Sequence, residues 1–213
     1  MNSSVELYEA LKKLHLLDDL RDEFWWPESG TFEVVVGAIL TQQTKWQKVE
    51  KSLKNLKEAG VLELEKLACH DIKELQTLIK PSGFYNTKAK YLKAICNSIM
   101  TEFGSFETFK DEVTKEWLLS QKGVGQETAD SILCYGCYRD VMVVDSYTDR
   151  ILRAFGYEFE SYHDIQEWLV SGFEDRDSKF FALYHGMIVE FAKKYVKGKR
   201  VDVEVLKEVP NMI

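Results

Sequence analysis

Residues 117–150 read WLLSQKGVGQETADSILCYGCYRDVMVVDSYTDR. Gly123 and Gly125 flank Val124 in a tight turn between two helical patterns. Without side chains the turn lets backbone N–H groups come close to another surface. The second helix begins there, where N–H donors lack intrahelical partners and the helix dipole favours an anion. A phosphate is the natural ligand of such a place, held by the amides of Gly123, Val124, Gly125 and Gln126. Twenty residues beyond Gly125, Asp145 stands at the mouth of the apolar run VMVV (141–144). A fixed carboxylate can stabilise developing positive charge and orient a water molecule. Asp145 also reads as the N-cap of the helix that follows, and the two roles are compatible. Asp149, one turn on, is the weaker candidate.

Two further constellations could do chemistry. In GAILTQQTKW (37–46), Gly37 and Ala38 permit close helix packing, and the polar run Thr41-Gln42-Gln43-Thr44 interrupts an apolar pattern. In Phe24-Trp25-Trp26-Pro27, with Trp46 further on, aromatics are unusually dense. They read either as a hydrophobic plug stapling the N-terminal helix to the body, or as a stacking pocket. An indole face attracts a cationic ring by roughly 0.5–2 kcal/mol. Cys134 and Cys137 form a CxxC inside the helix after the glycine turn. With no second cysteine pair to complete a metal site, they read as two small buried side chains.

The elements that must carry these residues are helical nearly throughout. Apolar spacing predicts helices over 4–20, 32–56 with a break near 41–44, 62–79, 87–103, 106–120, 126–138, 146–155, 162–172 and 177–196. Only VMVV looks β-like, and it is too short to build a sheet. The fold class is therefore all-α. At 213 residues, 45% hydrophobic and 30% charged, the chain can bury a real core in one domain or two small lobes. No apolar run approaches the ~18–20 residues of a membrane helix. The first twenty residues alternate charge with leucine and lack a signal-peptide core, so a cytoplasmic protein is expected. The net charge of −7 argues against non-specific coating of nucleic acid. Local clusters run the other way. Segment 80–93 holds Lys80, Lys88, Lys90 and Lys93 with no acid, and the tail 193–200 holds Lys193, Lys194, Lys197, Lys199 and Arg200. Alone, each cluster reads as a solvated face; beside the glycine turn they gain weight as phosphate contacts.

The blocks GAILTQQT, KPSGFYNTKAKYL, KGVGQETAD and MVVDSYTDRI resemble those of the endonuclease III-like, helix-hairpin-helix superfamily of DNA glycosylases. FWWP, TKW and HGMIVEF resemble more narrowly its 3-methyladenine DNA glycosylase branch, typified in Helicobacter. The resemblance implies two helical lobes with a DNA-binding cleft, divided here as 1–30 with 140–213 and as 31–139. It implies a monomer acting on double-stranded DNA that contains a damaged base. Asp145 becomes the catalytic carboxylate, and Trp25, Trp26, Pro27 and Trp46 become the base pocket. Gln43 matches the residue that fills the gap left by the flipped base. Lys88 and Lys90 support the backbone contact made by the hairpin, whose carbonyls are a candidate seat for a monovalent cation.

Two departures from the family pattern are informative. Bifunctional members carry a lysine just after the hairpin, where this chain has Glu127. A carboxylate cannot form a Schiff base, so β-lyase chemistry is expected to be absent. Many members hold an iron–sulfur cluster with four C-terminal cysteines, and no cysteine follows Cys137 here. No metal and no cofactor are therefore expected. The implied function is monofunctional excision of alkylated purines, 3-methyladenine first, in base excision repair. The alternatives are a glycosylase for a mismatched or deaminated base, and a non-catalytic hairpin module that binds DNA backbone.

Overall fold

Eight helices begin at a side chain that caps them: Ser3, Thr31, Asp71, Ser105, Thr114, Asp145, Ser161 and Asp177 each accept from a first-turn N–H. These caps explain where the helical patterns break. In the computed structural model, which describes residues 1–198 and 200–207, the predicted stretch 62–79 is two helices because Asp71 restarts it. Likewise 106–120 is divided at Thr114. The first helix stops at Lys12 rather than running to residue 20, and His15 beyond it has φ +50°. The chain is all-α, with 64% helix and 2% strand among the described residues.

The chain folds as two compact units, Met1–Pro27 with Tyr138–Ile213, and Glu28–Cys137. The first contains α1 (Ser4–Lys12), α10 (Ser146–Ala154), α11 (Tyr162–Val170), α12 (Ser178–Tyr195) and α13 (Glu204–Lys207). Helix α12 packs on α1 and α10, and α1 also meets α11 and α13. Leu7, Leu11, Met142, Val144, Ile151, Leu169, Tyr184, Ile188 and Phe191 form their shared core. VMVV is extended but joins no ladder; the Val144 N–H donates to the Tyr162 hydroxyl at 3.1 Å. The strands that do exist were not expected. After α12 the chain turns at Gly198, φ +63°, and pairs Val196 with Val201 and Lys197 with Arg200. Lys197 and Arg200 are exposed there, while Lys199 lies outside the described residues.

The second unit contains α2 (Phe32–Thr41), α3 (Trp46–Glu58), α4 (Leu64–Cys69), α5 (Ile72–Leu78), α6 (Tyr85–Glu102), α7 (Phe106–Glu112), α8 (Lys115–Ser120) and α9 (Gln126–Ser131). Helix α2 is apolar nearly all round and buried along most of its length, as suits a central helix. It packs on α3, α6 and α9, and on the π turn Ile132–Gly136 that continues α9. Cys134 and Cys137 are buried here.

Candidate functional site

The glycine turn joins α8 to α9 within the second unit. Val124 donates its N–H to the Gln121 carbonyl at 3.1 Å, and its side chain is buried, which anchors the turn. Gly123 is required twice over. Its φ is +86°, and a Cβ there would lie 2.3 Å from the Tyr91 ring. Gly125 is the N-cap of α9, where no side-chain hydrogen bond caps the helix, and Gly125, Gln126 and Glu127 are exposed. First-turn N–H donors at such an end suit an anion. The angle between α8 and α9 is braced from behind by Lys115, whose Nζ lies 2.8 and 2.9 Å from the two oxygens of the fully buried Asp130 carboxylate.

The turn after α2 is fastened to this hairpin by a residue that the sequence did not single out. Gln42 Nε2 donates to the Gly123 carbonyl at 2.8 Å and to Thr128 Oγ1 at 3.0 Å. Only the juxtaposition of residues some eighty apart reveals that role. The Gln121 and Gly123 carbonyls, among the candidate seats for a monovalent cation, thus already accept hydrogen bonds. Gln43, next in line, is exposed with φ +52°. Trp46, the first residue of α3, is half-buried.

Lys88 corrects the sequence reading. Expected on the surface as a phosphate contact, it is 2% exposed. Its amine donates inward to Leu40 O and Thr44 Oγ1, both at 2.7 Å, and to Ser82 O at 2.9 Å. Burial lowers its pKa to about 8. The spacing of Lys88 and Lys90 on α6 puts them on different faces, and only Lys90 is exposed.

The first unit gathers Asp145, Trp25 and Trp26 around α12. Asp145 caps α10 through Oδ1, which accepts from the N–H groups of Tyr147 (3.0 Å) and Thr148 (2.8 Å) and from Thr148 Oγ1 (2.9 Å). Its other oxygen, Oδ2, lies 3.7 Å from Nε2 of His185, and the carboxylate is 11% exposed. Burial pushes the Asp145 carboxyl up, but the His185 imidazole and the Thr148 donors outweigh it and hold it below the ordinary carboxylate range. His185 is buried and meets the Trp25 ring edge-on at 5.8 Å between centroids.

Trp25 is seated by α12. Gly186 leaves room for it, since a Cβ there would lie 2.7 Å from the indole Cγ. Trp25 Nε1 donates to Glu190 Oε1 at 3.0 Å, and Lys193, ion-paired to Glu190 at 2.7 Å, sits 5.6 Å from the ring centroid. Positions 186, 190 and 193 are spaced four and three apart, one face of a helix. Trp26 is buried and meets Trp25 edge-on at 6.3 Å, and Pro27 is exposed. The sequence block HGMIVEF therefore carries a positional reason. Its histidine faces Asp145, its glycine admits Trp25 and its glutamate holds the indole. His185 could have been suspected only by knowing that α12 passes Asp145.

An iron–sulfur cluster finds no home among the described residues. No group of three or more His, Cys, Asp or Glu among them could hold a metal ion, and Cys96, Cys134 and Cys137 are buried while Cys69 is exposed. Among the same residues no helix is long and apolar enough to cross a membrane.

Comparison with known proteins gives one consistent answer. Residues 36–171 match the family model of the HhH-GPD superfamily base excision DNA repair proteins. The structure superposes with a TM-score of 0.86 on the H. pylori 3-methyladenine DNA glycosylase MagIII bound to 1,N6-ethenoadenine, at 43% identity over 90% of this chain and 97% of that one. A Methanocaldococcus jannaschii protein assigned to the DNA repair glycosylases is 41% identical over 90% of this chain and 91% of its own. Endonuclease III of Thermotoga maritima is 28% identical over 80% of this chain and 76% of its own. The stretch matched by the family model contains both the hairpin and Asp145, and the chain belongs to the HhH-GPD superfamily of base excision DNA repair proteins.

Proposed function

We propose that the protein is a monofunctional DNA glycosylase that excises alkylated purines from duplex DNA, with 3-methyladenine as its principal substrate. The observation that carries this reading is the Asp145 carboxylate. One oxygen is saturated by three donors and the other is left facing His185, in the unit that also holds Trp25 and Trp26.

Hydrolysis breaks the C1′–N bond, and its electron pair leaves with the base. In an N-alkylated purine the base is already cationic, so that pair neutralises it and no leaving-group proton is needed. The sugar becomes cationic in the transition state. Asp145, ionised across the physiological range by its lowered pKa, stabilises that charge and orients the water that adds to C1′. The proton of that water passes to the carboxylate or to solvent, leaving free base and an abasic site. Extrusion of the nucleotide is needed before any of this can happen inside a duplex. Gln43, exposed in a turn tied to the hairpin by Gln42, supports the role of filling the vacated stack. The hairpin amides and Lys90 suit the flanking phosphates.

Trp25, half-buried against α12, supports stacking against a flat base. Glu127 stands at the position of the Schiff-base lysine in bifunctional relatives, which supports hydrolysis without strand cleavage.

The test is base release from duplexes carrying 3-methyladenine, 1,N6-ethenoadenine, hypoxanthine, uracil or a T:G mismatch, followed in parallel by borohydride trapping. Release of 3-methyladenine faster than of the neutral lesions, with strand breaks only after alkali and no trapped adduct, is the expected result. Preference for uracil or thymine, or a borohydride-stable adduct, would overturn the reading.

A further inference from the structure

We propose that Lys88 is a positioning residue whose protonated amine holds the 41–44 turn, and through it Gln43, in the conformation that inserts into DNA. The inference deepens the reading above and rests on its assignment of Gln43 to the vacated stack.

The amine sits where three segments meet. Leu40 lies in the last turn of α2, Thr44 closes the turn that follows, and Ser82 belongs to the 3-10 turn Lys80–Ser82. An ammonium has three N–H donors, and here three oxygens accept them. Thr44 Oγ1 also donates to Ser82 O at 2.6 Å, so lysine, threonine and carbonyl form a closed triangle. The opposite end of the same turn is held by Gln42 on the hairpin. Gln43 lies between these two anchors at φ +52°, a left-handed conformation that residues with a Cβ seldom adopt. It is held there by its neighbours, because Gln43 itself is exposed.

The charge state matters to this arrangement. A neutral amine keeps two donors, and its lone pair can only be met by the Thr44 hydroxyl, whose proton is then withdrawn from Ser82 O, so the triangle opens. The groups that accept from the amine are neutral oxygens; Lys45, Lys48, Lys80 and Lys90 nearby are exposed, and Tyr85 and Tyr91, one turn to either side on α6, are half-buried. Burial is the cause that moves its pKa, down to about 8, so the amine titrates near working pH.

The experiment uses the full chain without DNA first. Amide resonances of Gln43 and Thr44 are followed from about pH 6.5 to 9.5 in the wild type and in Lys88→Met, a range that brackets an amine whose pKa burial has lowered. In the wild type they are expected to move with a midpoint of about 8. In Lys88→Met they are expected to start displaced and stay flat. Resonances that titrate identically in both proteins, or in neither, would overturn the proposal whatever the enzyme's substrate. The second arm measures binding to duplex with a tetrahydrofuran abasic analogue, and single-turnover base release. Gln43→Ala should weaken binding in the wild type but add less than about 2-fold in the Lys88→Met background, since coupled residues are non-additive. Fully additive losses would contradict the coupling. Thr44→Val, which keeps the lysine and removes one acceptor, serves if Lys88→Met fails to fold. It is expected to displace the same amides, and unchanged amides would count against the clamp.

Discussion

At the scale of single residues, the proposed catalytic carboxylate has its pKa lowered by a neighbour that the sequence does not advertise. Burial alone would raise the Asp145 pKa; the His185 side chain and the Thr148 donors reverse the sign. A depressed carboxylate pKa contributes stability above the unfolded value, and that contribution is lost as pH falls through the folded value. In the proposed mechanism activity follows the same group, since only the ionised form stabilises a sugar cation. His185→Phe removes the imidazole and leaves the burial. The acid limb of the single-turnover rate is therefore expected to move to higher pH. An acid limb that stays where it was would mean that Thr148 and the helix N-terminus set the pKa without His185.

Among elements, the hairpin shows how much a glycine can be asked to do. Gly123→Ala would place a methyl group against the Tyr91 ring and hold an alanine at φ +86°. The expected cost is about 1–3 kcal/mol in urea unfolding, with weaker binding to DNA backbone because Tyr91 and the turn must separate. A change under about 0.5 kcal/mol would show that the contact relaxes freely. The hairpin was legible because its signal is local, glycines at a helix start. The helices were legible for the same reason, and their caps account for the two breaks that apolar periodicity ran through, at Asp71 and Thr114. What escaped was non-local. Gln42 and His185 act on partners far away in sequence, and Lys88 looked like a surface cation because position within a basic run says nothing about which face of α6 is buried. The strands at 196–201 escaped because two residues each give no alternation to read.

For the molecule as a whole, stability and activity are expected to part company in alkali. Lys88 has a folded pKa of about 8 against an ordinary lysine's 10.5. The unfolded chain then binds more protons between those values, so this group's contribution to stability rises with pH across that window, by at most about 3 kcal/mol. Excision should fall over the same range as the turn loosens. Thermal unfolding and single-turnover rates measured together from about pH 7.5 to 10 check the divergence. Parallel losses would indicate simple alkaline unfolding.

The same separation of fold from chemistry gives the most direct test of the central claim, that Asp145 is the group on which base excision depends. Asp145→Asn keeps an oxygen to accept from Tyr147 and Thr148 and so keeps the cap of α10. It removes the charge that the proposed mechanism sets against the reacting sugar. The measurement is the single-turnover rate of 3-methyladenine release, with affinity for an abasic-analogue duplex measured alongside. The account predicts unchanged folding and affinity with release slowed by on the order of 100-fold or more. Release within a few-fold of wild type, at equal affinity, would contradict it.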